Sequence, residues 1–131
     1  MSEPAAAPPV ELTYQVASDL QGVRAFVHDL ATLAGLTPSR ADLLTLAVSE
    51  LATNTLQHTS GSGRVRLWSE PGTLICEVED RGRLDTPADP PRMPPLNSPG
   101  GRGLAIVDRV CDRVTMELTT EGVRHRLSMD L

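Results

Sequence analysis

The chain has 131 residues, of which 40% are hydrophobic, and a formal net charge of −5. This length predicts one domain around one core, and no apolar run approaches the roughly 20 residues that a membrane-spanning helix requires. The negative charge argues against nucleic acid as a direct partner, because phosphate backbones select basic surfaces.

All twelve basic residues other than histidine are arginines, and the chain contains no lysine. This composition excludes the lysine of Walker-type phosphate loops and that of the usual protein kinases, so a nucleotide site would use other residues. The two cysteines, Cys76 and Cys111, have neither metal-ligand spacing nor a disulfide framework. We expect both to be reduced thiols in the core.

The N-terminal half of the chain predicts an arm, one strand and two helices. Residues 1–9 are rich in alanine and proline and lack the features of a secretory signal, which predicts a flexible arm and a cytoplasmic protein. Apolar residues then alternate from Val10 to Val16, as in a half-buried strand. Asp19 and Gly35 are placed to begin and end a first helix, and a second helix opens near 37–39.

The C-terminal half predicts four strands, a lid and one helix. Alternating apolar residues predict two hairpins, one turning near 70–72 and the other near 120–122. Between them, residues 81–101 contain six prolines and few apolar residues, which indicates a functional lid, and a helix follows over 103–110. Residues 10–131 should therefore form a two-layer α/β (α+β) sandwich with a largely antiparallel sheet.

The strongest candidate site residues lie on the second helix. Glu50, Asn54 and His58 recur four residues apart, so their polar ends share one side of the helix beside its apolar stripe. An asparagine amide oxygen suits magnesium, and a carboxylate one turn away can deprotonate an attacking hydroxyl. The competing interpretation is an ordinary amphipathic helix with polar residues along its flank.

A second candidate lies at the end of a predicted strand, where Asp80 shares the face of Cys76 and Val78. A carboxylate that points toward the core needs a hydrogen-bond partner, and the exocyclic amine of adenine would be one. Gly82 would let the backbone pass close to the base. The alternative is a strand that ends in a common aspartate-containing turn.

A third candidate is the glycine-rich entry to the last predicted helix, formed by Gly101, Arg102, Gly103 and Leu104. The start of a helix presents free amides to phosphate, and an arginine adds a charge-assisted contact. Glycines at this place also serve simply as hinges, which is the alternative interpretation.

Together and in this order, the three motifs resemble those of the GHKL (Bergerat-fold) ATPase superfamily. The helix resembles its N box, 80–82 its first glycine box and 101–104 its second, over residues 10–131. The resemblance implies the Bergerat ATP-binding fold, with a mixed, largely antiparallel sheet and helices on one face, and ATP and Mg²⁺ as cofactors. The implied roles are Glu50 as catalytic base, Asn54 as magnesium ligand, Asp80 as adenine selector, and Gly82, Gly101, Arg102, Gly103 and Leu104 as cofactor-binding residues.

Within the superfamily, the chain is most similar to the bacterial anti-sigma-factor serine/threonine kinases. The similarity lies in residues 46–50, the compact length and the absence of a phosphorylatable-histidine dimerisation region. It implies a kinase that binds a sigma factor, phosphorylates a serine on a STAS-type anti-sigma-factor antagonist and forms a homodimer.

Two departures from the superfamily pattern keep other functions open. Leu84 replaces the second glycine of the first box, and Gly122 and Val123 stand where a threonine is expected. A non-catalytic, nucleotide-gated protein-binding module is therefore the main alternative to a kinase. A small metabolic enzyme using His58 or His125 has less support, because no nucleophile and base are visibly paired.

Overall fold

The computed structural model describes residues 9–58, 62–81, 106–120 and 122–131. Its elements in chain order are β1 (Val10–Tyr14), α1 (Leu20–Ala34), α2 (Pro38–His58), β2 (Gly63–Glu70), β3 (Thr73–Asp80), β4 (Arg113–Leu118) and β5 (Val123–Asp130). A short 3-10 helix precedes α1, and residues 106–110 are also helical. The predicted arm (1–9) and lid (81–101) lie almost wholly outside the described residues.

The strands form one five-stranded sheet in the order β1-β2-β3-β5-β4. Every pairing among these strands is antiparallel. The largely antiparallel sheet is confirmed, and the described strands contain no parallel pair of the kind that a mixed sheet would have. Because β1 and β2 are neighbours, the two helices between them return the chain across one face of the sheet.

The core lies between this sheet face and the helices, since α1 and α2 pack against each other and against the strands. Its largest fully buried side chains are Tyr14, Leu44, Leu127, Met129, Val23, Val27, Val48, Val65, Val78, Val107 and Cys76. The predicted two-layer sandwich is confirmed. No helix in the described part of the chain is long and apolar enough to cross a membrane.

Both cysteines are buried and free, as predicted. Burial raises the pKa of the Cys111 thiol to about 12, and it raises the pKa of Cys76 as well. Each thiol is therefore protonated at neutral pH and behaves as a small apolar side chain.

The first helix ends as predicted but begins differently. Gly35 has a φ of 110° and closes α1 in the left-handed conformation that glycine adopts without strain. The Asp19 carboxylate, expected to cap α1, instead accepts hydrogen bonds from the backbone N–H groups of Gln15 (2.8 Å) and Val16 (3.1 Å). These bonds fold the chain into the 3-10 helix, so β1 stops at Tyr14 and the predicted strand to Val16 was too long.

The face of the sheet away from the helices carries alternating glutamates and arginines. Glu77 and Glu79 of β3 lie at its centre, and their side chains are only 3% and 5% exposed. Four arginines surround them, namely Arg64 and Arg66 on β2 and Arg124 and Arg126 on β5. The carboxylates are buried by the arginine side chains, whose guanidinium groups neutralise them.

The ionisation of Glu79 makes the free energy of unfolding depend on pH, and the direction of this dependence follows from its pKa. Burial alone would raise its pKa, but the hydrogen bonds and charges of Arg64 (3.1 Å) and Arg124 (3.4 Å) outweigh burial and lower it. A carboxyl whose pKa is lower when folded stabilises the protein above its unfolded pKa of about 4.3, and this stabilisation is lost as the pH falls through the folded pKa.

We therefore expect Glu79→Gln to lower the free energy of unfolding at pH 7 by roughly 1 kcal/mol, with the deficit shrinking below about pH 4. The measurement is urea unfolding across this pH range. Glu117→Gln is the matched control, because that side chain is 70% exposed and lies 3.7 Å from Arg124; it should change little. A Glu79→Gln deficit that is the same at both ends of the range would contradict the assignment.

Candidate functional site

The second half of α2 presents the predicted pair of polar residues beside the core. Leu51, Ala52 and Thr55 are buried, whereas Glu50 and Asn54 are partly exposed. The two side chains follow each other by one helical turn, about 5–6 Å apart at Cβ. They therefore border the apolar stripe, as the sequence predicts, and both are reachable from solvent. His58 is the last residue of α2.

One row of residues crosses three strands at the same end of the sheet. Tyr14 at the end of β1 lies opposite Gly63 at the start of β2, and Gly63 lies opposite Asp80 at the end of β3. A Cβ atom on Gly63 would overlap the Tyr14 ring, with Cε1 only 2.6 Å away. The aromatic ring therefore lies over the glycine, on the face of the sheet that the helices cover.

The hydroxyl of Tyr14 joins this row to α2. It donates a hydrogen bond of 3.0 Å to Oγ1 of Thr55, which in turn donates to the carbonyl of Leu51 at 3.1 Å. Both residues of the pair are buried, with 0% of Tyr14 and 3% of Thr55 exposed. Burial raises the pKa of the Tyr14 hydroxyl, and the nearby Asp80 carboxylate raises it further. Thr55 directly follows Asn54, so this contact lies beside the predicted magnesium ligand.

Asp80 occupies the position that strand alternation predicts. It lies two residues beyond Val78, which belongs to the core cluster, and it is itself half-buried. Its Oδ1 atom is buried. A carboxylate oxygen at the core-facing end of a strand can accept a hydrogen bond from a planar ligand bound between helix and sheet.

Gly122 packs directly on Asp80 in the place where the superfamily pattern has a threonine. A Cβ atom there would lie 3.0 Å from Cβ of Asp80 and still closer to its carbonyl oxygen. The glycine is held in the turn between β4 and β5, where its N–H donates to Oγ1 of Thr119 at 3.0 Å. Val123 follows as the first residue of β5. Gly122, the residue that departs from the superfamily pattern, therefore packs against Asp80, the predicted adenine selector.

Asp80 lies in the same cross-strand row as Tyr14, whose hydroxyl bonds to Thr55 on the helix that carries Asn54 and Glu50. The other predicted site residues, Gly82, Gly101, Arg102, Gly103 and Leu104, lie outside the described residues. Sequence reasoning missed Tyr14, Thr55 and Gly63 as neighbours of the site. The one signal for them was the glycine at the first position of a strand, which often marks a close approach of another group.

The histidine alternative gains no support in the described part of the chain. His125 lies on β5 opposite Met116 and Val78, and burial lowers its pKa. It is therefore neutral at physiological pH and half-buried. The described residues contain no cluster of three or more histidine, cysteine, aspartate or glutamate residues that would hold a metal ion.

The model of the histidine kinase-like ATPase domain family matches residues 14–130, so the chain belongs to this family. It is also similar to the crystal structure of the RsbU and RsbW domains of Rv1364c from Mycobacterium tuberculosis, with a TM-score of 0.71 and 20% identity. The match covers 95% of this chain and 33% of that longer one. Similarity at this level of identity shows a shared fold. A search of curated proteins gave no match.

Proposed function

We propose that this chain binds ATP with Mg²⁺ and transfers the γ-phosphoryl group to a serine or threonine hydroxyl of a partner protein, as anti-sigma-factor kinases do. The observation that carries the proposal is the position of Asp80, half-buried at the end of β3 in the row that Tyr14 links to the helix bearing Glu50 and Asn54. A carboxylate on the core-facing side of a strand is placed to accept a hydrogen bond from a ligand held between sheet and helix.

The residues around Asp80 fit an adenine ring. The buried Oδ1 offers an acceptor for the exocyclic amine, and Gly122 lets the turn between β4 and β5 pack against the Asp80 backbone, where any larger side chain would collide with the carbonyl oxygen. A hydrogen bond to a charged acceptor contributes about 1.5–3 kcal/mol, enough to select adenine over a base without a donor at that place.

Glu50 and Asn54 have the side chains that the phosphate end of a bound Mg²⁺–ATP would need. The Asn54 amide oxygen would hold the magnesium ion, and the bound Mg²⁺–ATP would supply the phosphoryl group together with charge neutralisation. Glu50 is partly exposed, so a hydroxyl from another protein can approach it and give up its proton.

The proposed partners are a sigma factor and a STAS-type anti-sigma-factor antagonist, and the proposed assembly is a homodimer. These proposals come from the resemblance to anti-sigma-factor kinases. They are supported by the shared fold with a structure that contains an RsbW domain.

Glu50→Gln separates catalysis from binding. We expect phosphotransfer to a serine-containing antagonist to fall by roughly 100- to 10,000-fold, because a neutral amide cannot accept the proton. ATP affinity should stay within about threefold, because Glu50 acts on the acceptor hydroxyl. The control is Asp42→Asn, which neutralises an exposed carboxylate of α2 that pairs with His28. Equal phosphotransfer by parent and Glu50→Gln would contradict the role of Glu50.

The second candidate is a nucleotide-gated binding module without phosphotransfer. It is favoured by Gly122, which brings no hydroxyl to the position beside Asp80. A parent chain that binds Mg²⁺–ATP and a partner protein but transfers no phosphate would support this candidate.

A further inference from the structure

A buried side-chain hydrogen bond joins the sheet to α2 near the site, from the hydroxyl of Tyr14 to Oγ1 of Thr55. Its donor comes from β1 and its acceptor from a residue 41 positions later in the chain. Because both groups are buried, this bond forms in a low-dielectric environment where it is strong and directional. It therefore constrains the distance between β1 and the last turns of α2, and the rotation of those turns about the helix axis.

The two residues of this pair are neighbours of the two ends of the proposed site. Thr55 adjoins Asn54 in the helix, and Tyr14 lies in the same cross-strand row as Asp80. Gly63, which lies between Tyr14 and Asp80 in this row, has no side chain and so lets the Tyr14 ring lie across β2. The pair thus joins the helix that carries the magnesium ligand to β1, at the end of the cross-strand row that continues through Gly63 to Asp80 on β3.

We propose that Tyr14 and Thr55 are positioning residues of the nucleotide site, whose hydrogen bond holds Asn54 at the distance from Asp80 that Mg²⁺–ATP requires. This inference rests on the proposed function. A nucleotide engaged by Asp80 gains from magnesium only when the amide of Asn54 is correctly placed. A misplacement of about 1 Å is enough to lose much of such a contact.

The test compares ATP affinity in Mg²⁺ and in EDTA by calorimetry, and the ratio of the two dissociation constants measures the contribution of magnesium. We expect Tyr14→Phe and Thr55→Val to reduce this ratio by roughly three- to tenfold. Affinity in EDTA should change by less than about twofold. The double variant should be no worse than either single variant, because both remove one interaction. The Asn54→Ala variant gives the ratio that is expected when the side chain that binds magnesium is absent.

Thr55→Ser distinguishes positioning from packing. Serine keeps the hydroxyl and loses the buried methyl group, whereas valine keeps the methyl group and loses the hydroxyl. A positioning role predicts that Thr55→Ser retains the parent ratio; retention by valine and loss by serine would overturn it. Thr45→Val is the control. The Thr45 hydroxyl also donates to a backbone carbonyl of α2, that of Ala41 at 2.7 Å, but Thr45 lies about 15 Å from Thr55 along the helix axis.

The outcomes separate this inference from the proposed function. If the folded parent binds no Mg²⁺–ATP, the proposed function fails and the inference fails with it. If the parent binds with a magnesium-dependent ratio that Tyr14→Phe leaves unchanged, only the inference fails. An equal loss in Mg²⁺ and in EDTA would also overturn it, because general damage to the fold would weaken both.

Discussion

Asp80→Asn is expected to weaken ATP binding by at least about 100-fold, the largest effect on nucleotide affinity of any single change in the site. The variant removes the charge that strengthens the bond to the adenine amine. It also places an amide donor where the ligand presents another donor. The lost charged bond and the unpaired donor each contribute about 1–3 kcal/mol.

The fold should tolerate this change, because asparagine has the shape of aspartate and the packing of Gly122 on the Asp80 backbone is unaffected. The measurement is calorimetric titration with Mg²⁺–ATP, accompanied by thermal unfolding. Asp29→Asn, an exposed carboxylate on α1, is the charge-matched control and should bind as the parent does. Parent-like affinity in Asp80→Asn would remove the assignment of the adenine pocket.

Gly63→Ala is expected to destabilise the protein by roughly 2–3 kcal/mol, although alanine is normally preferred to glycine in a strand. The added methyl group would overlap the ring of Tyr14, which is completely buried and has no room to retreat. Overpacking of this kind forces a rotamer change or a backbone shift. The measurement is the free energy of unfolding from urea titration.

Gly22→Ala is the matched control for this prediction. It lies on the exposed side of α1 with nothing within 4 Å of the added atom, so it should stabilise the helix by roughly 0.5–1 kcal/mol. The Gly63→Ala deficit should shrink in a Tyr14→Leu background, because the clash is with the aromatic ring. A Gly63→Ala variant as stable as the parent would show that the ring does not occupy this space.

Local patterns were sufficient to predict the order of the described strands and helices and the sides of those elements on which Asp80, Glu50 and Asn54 lie. The alternation of apolar residues identified the core-facing side of β3 and with it the direction of Asp80. The spacing of four residues placed Glu50 and Asn54 on one side of α2. Such patterns report which face a residue occupies. They carry no information about which distant residue it meets there.

The contacts that the sequence did not reveal are those between elements far apart in the chain. Tyr14 and Thr55 each read as ordinary members of a strand and a helix, and their pairing depends on how α2 crosses the sheet. The end of β1 was misjudged for a related reason, because the carboxylate of Asp19 captures two backbone N–H groups that alternation alone assigns to the strand.

The most direct test of the central claim is calorimetric titration of the folded parent chain with ATP and, separately, with GTP, both in Mg²⁺. Guanine carries a carbonyl oxygen where adenine carries its exocyclic amine, so Asp80 should accept ATP and repel GTP. We predict saturable ATP binding and GTP affinity at least about 100-fold weaker. Absence of ATP binding, or equal binding of both nucleotides, would contradict the account.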